Sequence, residues 1–259
     1  MRLLVTNDDG IDAPGIHALA AAMVATRHEV VVAAPLRDMS GSAAAIGVMS
    51  ADQEMLVSPV EIPGLPGIEA YGVDGPPALA VMAARLGAFG AAPELVVSGI
   101  NPGYNTGRAM LHSGTVGAAL TAANFGVSAV AVSTGPGPQP MWDAACELAV
   151  SAVDWLLGEP AKTVLNLNVP DGPLSALRGV RWAEPAAFGT VRATLVDVGD
   201  RRMKMTLRET GVELPPDTDT ALVMAGYAAV TVINGITSSD WAPVADHLER
   251  CTLNLDKAG

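Results

Sequence analysis

The sequence predicts an α/β fold in which a parallel β-sheet is covered by helices on both faces. Short, solidly apolar runs alternate along the chain with amphipathic stretches of helical spacing. The runs are continuous rather than alternating, as strands buried on both faces are. At 259 residues and 50% hydrophobic content the chain is large enough for one substantial core.

Residues 3–5 form the first strand. Residues 15–25 then place Ile16, Leu19 and Met23 on one helical face behind Pro14, a favourable residue at a helix start. Residues 30–33 are a second buried strand, which completes a βαβ unit. An alanine-rich helix over residues 78–86 leads to a third strand at 95–97, and a fourth lies at 127–132. These four strands are the expected central sheet. Between the last two, Ser113 caps a helix over residues 115–125 that stops at Gly126, with Val116, Leu120 and Ala123 or Asn124 marking its period. A further amphipathic helix covers 143–157 after a loop rich in proline and glycine, and a strand at 164–169 is stopped by Pro170.

Beyond Pro170 the texture changes. Residues 191–198 and 203–207 alternate around Gly199-Asp200 as a β-hairpin does, and a turn-rich stretch follows over 209–220. Residues 227–233 read as one more strand and 241–251 as a terminal helix. The whole chain, 1–259, is therefore expected to be a single α/β domain with a C-terminal β-hairpin appendage in the region around 180–220.

A formal net charge of −12 and only three lysines, Lys162, Lys204 and Lys257, give no cationic surface for a nucleic acid polymer. A small phosphorylated molecule stays compatible, because a metal ion and backbone N–H groups bind phosphate without lysine. Cys146 and Cys251 are far apart and form no redox or zinc pattern. The apolar run at the N-terminus ends at Thr6, too soon for a secretory signal, and no segment reaches membrane-spanning length. A cytoplasmic protein with no membrane partner is the expectation.

Each polar cluster follows directly on an apolar strand: Asn7-Asp8-Asp9-Gly10 after the first, Ser40-Gly41-Ser42 after the second, Ser98-Gly99-Ile100-Asn101 after the third. In an open parallel sheet the carboxyl ends of the strands border the ligand crevice, so these clusters converge. Two adjacent carboxylates repel, and one takes up a proton unless a cation or several N–H donors hold both ionised. A bound metal resolves that conflict. Asp8, Asp9, the Ser40 hydroxyl and the Asn101 amide make an all-oxygen set suited to one divalent cation, Mg²⁺ or Mn²⁺, and without His or Cys it disfavours zinc. Ser113, Gly114 and Thr115 open the best-bounded helix, whose N-terminal N–H groups offer a seat for phosphate. No P-loop, no dinucleotide-binding glycine fingerprint and no Gly-x-Ser-x-Gly elbow is present.

These residues, in this order, resemble the SurE family of nucleotidases. The matching pieces are residues 3–16, Ala34-Pro35 with Arg37 and Ser40-Gly41, Val97-Ser98-Gly99-Ile100-Asn101 with Gly103, Asn105 and Gly107, and Ser113-Gly114-Thr115-Val116. Residues 165–170, Thr218-Asp219 and Gly226-Tyr227 extend the match over almost the whole chain. The resemblance implies a metal-dependent phosphatase for nucleoside 5′- and 3′-monophosphates, with Asp8, Asp9, Ser40 and Asn101 on the metal. It implies that Asn105 and Ser113, Gly114 and Thr115 hold the phosphate. For the mechanism, Asp8 or Asp9 is the expected base, with a covalent aspartyl phosphate as the rival. The resemblance also implies a Rossmann-like three-layer α/β/α sandwich with a mixed, mostly parallel sheet, and a homodimer or homotetramer formed through C-terminal elements.

The chain departs from the family pattern at Leu79, where a carboxylate is usual, at Pro76 and at Ala43 and Gly47, where hydroxyl residues are usual, at His112 for a tyrosine and at Thr121 for a glutamate. Those changes keep open an alternative: a catalytically silent or broader-specificity nucleotide-binding protein of the same fold.

Overall fold

In the computed structural model, residues 1–47, 52, 54–187, 191–209 and 211–238 are described. The chain runs β1 (Arg2–Thr6), α1 (Pro14–Val24), β2 (Glu29–Pro35), β3 (Val57–Pro59), β4 (Glu69–Val73), α2 (Pro77–Arg85) and β5 (Leu95–Pro102). It continues α3 (Gly114–Asn124), β6 (Ser128–Thr134), α4 (Asp143–Leu156), β7 (Val164–Val169), β8 (Val180–Trp182), β9 (Val191–Asp197), β10 (Met203–Glu209), α5 (Asp219–Met224) and β11 (Ala228–Ile233).

Nine of these strands form one sheet in the order β3-β4-β2-β1-β5-β6-β7-β11-β8. The six strands from β4 to β7 are all parallel, so their carboxyl ends share one edge. At β11 the polarity reverses: it pairs antiparallel to β7, Ala229 beside Asn168, and β8 follows β11 in parallel. The sheet is therefore mixed and mostly parallel.

Alternate residues of each central strand go to opposite faces, and that period of two builds two cores. Leu3, Val5, Val97, Val132 and Leu167 pack with Ile16, Leu19 and Met23 of α1 and Ala145, Ala149 and Val153 of α4. Leu4, Val31, Val96, Ala129 and Val164 pack with Ala80, Val81 and Ala84 of α2 and Val116, Ala119 and Ala122 of α3. The result is three layers, α1 and α4 over one face and α2 and α3 over the other. Each Leu or Val buried in this way stabilises by about 1.5–3 kcal/mol.

The four central strands, the two long amphipathic helices and the hairpin lie where the sequence predicts them. Beyond the expected elements are β3, β4, β8 and α5. The three residues of β8 are all exposed, and β3 is equally short, so neither carries an apolar run. The stretch 209–220, expected as turns, ends in the first residues of α5, whose six residues are too few to show a period. The expected helix at 241–251 lies outside the described residues. Among the described residues the strands β9 and β10 pair only with one another, through seven consecutive residue pairs. Among the described residues no helix is long and apolar enough to cross a membrane.

Candidate metal and phosphate site

At the carboxyl edge, Thr6 of β1 stands beside Ser98 of β5, which sets the turn at residues 7–10 against Asn101. The turn is closed by Asn7: its Oδ1 accepts the Gly10 N–H at 3.2 Å and its Nδ2 donates to the Gly10 carbonyl at 3.0 Å. Gly10 has φ +107°, a conformation that side chains disfavour. From the other flank the Met39 N–H donates to the Asp8 carbonyl at 2.7 Å, bringing the loop with Ser40 over the same edge.

Asp8 is 2% exposed, and burial raises its pKa from the ordinary carboxylate value. Hydrogen bonds oppose that rise. The Thr115 hydroxyl donates to Oδ1 at 2.6 Å and the Gly114 N–H to Oδ2 at 3.1 Å. The approach requires glycine, because a Cβ on Gly114 would lie 2.6 Å from the Asp8 Cβ and 2.7 Å from the Ser42 Oγ. The N-terminus of α3, read from sequence as a phosphate seat, thus addresses Asp8 directly with its N–H groups and its positive dipole end.

Asp9 is placed differently. Among the described residues its Oδ2 is buried without a hydrogen-bond partner. Desolvation, then the charges of Asp8 and Asp38, push its pKa up to about 7. A buried carboxylate oxygen that no donor among the described residues reaches, beside two other acids, suits a cation.

The two neutral ligand candidates have their other ends tied. Asn101 Nδ2 donates to the Gly103 carbonyl at 2.6 Å, which orients the amide and leaves Oδ1 as the end available to a cation. The Ser40 hydroxyl donates to Asp38 Oδ1 at 2.6 Å, so its lone pairs point elsewhere. Asp38, held below the usual carboxylate range by the Ser40 hydroxyl and N–H, was not foreseen from sequence. Its signal was there in the Asp-x-Ser spacing of a turn. Among the described residues no three His, Cys, Asp or Glu side chains cluster as metal ligands.

Asn105 sits further along the same edge, buried, its Nδ2 donating to the Ser133 hydroxyl at 2.9 Å. Its backbone is gripped by β7. Asn168 accepts the Asn105 N–H at 2.8 Å and returns a bond to its carbonyl at 3.2 Å, and Asn166 donates to that carbonyl at 2.8 Å. Asn166 and Asn168 are wholly buried and were missed as functional candidates, although asparagines at alternate positions of a buried strand are an unusual pattern. Ser113 has its Oγ engaged as the cap of α3, accepting the Val116 N–H at 3.1 Å.

The chain matches the family described as survival protein SurE over residues 3–189. It belongs to the SurE family. A protein named 5′-nucleotidase SurE from Xylella fastidiosa strain M12 is 39% identical over 188 residues, 70% of this chain and 68% of the relative. Another of that name from Anaeromyxobacter sp. strain Fw109-5 is 35% identical over 246 residues, 93% and 92% of the two chains. A 5′/3′-nucleotidase SurE from Serratia proteamaculans is 36% identical over 236 residues, 89% of each. The crystal structure of the SurE protein of Aquifex aeolicus superposes with a TM-score of 0.78 at 28% identity, covering 96% of this chain and 100% of that one.

In this SurE-family chain the departures at Leu79 and Thr121 are absorbed by packing. Leu79 lies against the core between α2 and α3, and the Thr121 hydroxyl bonds back to the Gly117 carbonyl at 2.7 Å inside its own helix. His112 is exposed, and its carbonyl accepts the Ala43 N–H at 3.3 Å, tying the serine loop to the start of α3.

Proposed function

We propose that the chain hydrolyses nucleoside 5′- and 3′-monophosphates to nucleoside and phosphate with one divalent cation, Mg²⁺ or Mn²⁺. The observation that carries this reading is the unlike pair of acids: Asp8 oriented by one bond from α3 to each oxygen, with lone pairs to spare, and Asp9 with a buried oxygen that nothing donates to among the described residues. The names of the SurE relatives supply the substrate class. Asp8, Asp9, Ser40 and Asn101 would hold the ion, which when bound would neutralise phosphoryl charge and orient the attacking water.

The chain's own groups divide the remaining work. Thr115 and the amide of Gly114 orient Asp8 and oppose the rise in pKa that its burial causes. Asp9, whose second oxygen has no donor, is the acid with a lone pair left to take the proton of the attacking water. Asn105, Ser113, Gly114 and Thr115 border the phosphate, the last two sharing their donors with Asp8. The proposal extends to a single domain over residues 1–259, to the cytoplasm as location, and to self-association as a dimer or tetramer. Leu195, Met203 and Met205, exposed together on one face of the hairpin, favour association.

The test is phosphate release from a panel of monophosphates with and without Mg²⁺ or Mn²⁺, comparing Asp8→Asn. Metal-dependent release that the substitution abolishes supports the reading, and metal binding without turnover in the wild type would leave a silent binder instead. Rapid quench with labelled substrate separates the mechanisms, since label retained on an aspartate overturns attack by water.

A further inference from the structure

The segment between β5 and α3 carries Asn105 and leads into Ser113, and its residues 103–106 belong to no strand or helix. One anchor is the grip of β7 on Asn105. The second comes from α5, which the reversal of β11 delivers to the site edge: β11 starts beside Asn168, so the helix before it stands next to the carboxyl ends of the parallel strands.

Asp219, at the start of α5, is wholly buried and divides its two oxygens between different stretches of chain. Oδ2 accepts the Gly107 N–H at 2.7 Å. Oδ1 accepts the Ala186 N–H at 2.9 Å and the Thr220 N–H at 2.7 Å, with the Thr220 hydroxyl at 3.2 Å. Three backbone N–H groups and one hydroxyl satisfy it, with no ion pair among the described residues. Gly107 and Ala186 also touch directly: Gly107 has φ +52°, and a Cβ on it would lie 2.7 Å from the Ala186 carbonyl oxygen. One carboxylate therefore joins the loop of Asn105, the chain leading into the hairpin, and α5.

We infer that Asp219 is a positioning residue for the reaction. By pinning Gly107 it fixes Asn105, two residues earlier, and the approach to Ser113, and through Ala186 it ties that loop to the base of the hairpin. This inference rests on the site reading above. Asp219 touches none of Asp8, Asp9, Ser40 or Asn101 through any hydrogen bond described, so its loss leaves the ion's ligands in place.

Asp219→Asn is the test. An amide oxygen still accepts from Ala186 and Thr220, but its NH₂ faces the Gly107 N–H, donor against donor, and releases the loop. Peptide-resolved hydrogen exchange should show residues 103–112 exchanging faster while residues 2–10 are unchanged. KM for a monophosphate substrate should rise about tenfold or more, with the Mg²⁺ Kd from calorimetry within about twofold of wild type. Thr220→Ala, which keeps both bridging amide bonds, should keep the wild-type KM. A purely structural role would lower Tm and leave KM at 25 °C unchanged, and that result overturns the inference. If the variant does not fold, the wild type still decides: its Gly107 amide should be protected like those of β5, and free exchange there defeats the proposal. A wild type that releases no phosphate sinks the hydrolase reading, whereas an active wild type with an unaltered Asp219→Asn KM sinks only the role of Asp219.

Discussion

Both oxygens of Asp8 are engaged by α3, while Asp9 keeps one buried oxygen that no donor reaches among the described residues. The pair was legible in the sequence, because adjacent acids directly after an apolar strand have few structural uses. The assignment of Thr115 to Asp8 was not, since a threonine hydroxyl in the first turn of a helix has several acceptors within reach. A consequence follows for the metal-free protein. Asp9 has its folded pKa raised from 3.8 to about 7, so its ionisation costs stability once pH exceeds 3.8, and the full cost is reached above about 7. Asp9→Asn, unfolded in the presence of chelator, should therefore have a higher Tm than wild type at pH 8 and no advantage near pH 4. A lower or equal Tm at pH 8 would show that the Asp9 carboxylate is satisfied by the protein alone.

At the scale of elements, what the sequence predicts well is what packs. The central strands and the helices α1 to α4 carry apolar residues at the period of the layer they bury, whereas β3, β8 and α5 are three to six residues long and take their conformation from their neighbours. The polar face of β7 was the other gap: its Leu-Asn alternation, with every residue buried, has a reason only once the Asn105 loop lies on it. Asn168→Ala removes two hydrogen bonds from a buried peptide group and should destabilise by about 2–4 kcal/mol in urea unfolding, with a loss below about 0.5 kcal/mol counting against the clamp. Helix α4 supplies a second check. Burial, then Asp143 and Glu147, push the Cys146 thiol from 9.0 up to about 11. Below pH 9 the thiol is neutral in both folded and unfolded chain, and its ionisation costs the folded state increasing stability as pH climbs from 9 towards 11. Alkylation of Cys146 at pH 8.5, followed by peptide mass spectrometry, should be more than about tenfold slower in the folded chain than in urea.

For the molecule as a whole, the strand direction organises the site. Six parallel strands bring residues 7–10, 38–42 and 99–105 to one edge, and the reversed β11 brings α5 to the same edge from the C-terminal part of the chain. The parallel part follows from the βαβ rhythm of the sequence. The reversal does not, because nothing local to residues 228–233 records which way their neighbour runs. A cation that binds this edge of the folded chain and not the unfolded one would be coupled to global stability. Mg²⁺ at about 100 times its Kd should stabilise the chain by about 2.7 kcal/mol, read as a rise in Tm that chelator reverses and Asp9→Asn does not show.

The hairpin has one more use. Because among the described residues β9 and β10 pair only with each other, and the tip at Gly199, Asp200 and Arg201 already turns through left-handed backbone, the tip shares no ladder with the nine-stranded sheet. Foreign sequence grafted there, a short epitope or a fluorophore-bearing peptide, needs no re-threading of the core. Such a graft would turn the appendage into a reporter whose signal changes when another molecule settles on that arm.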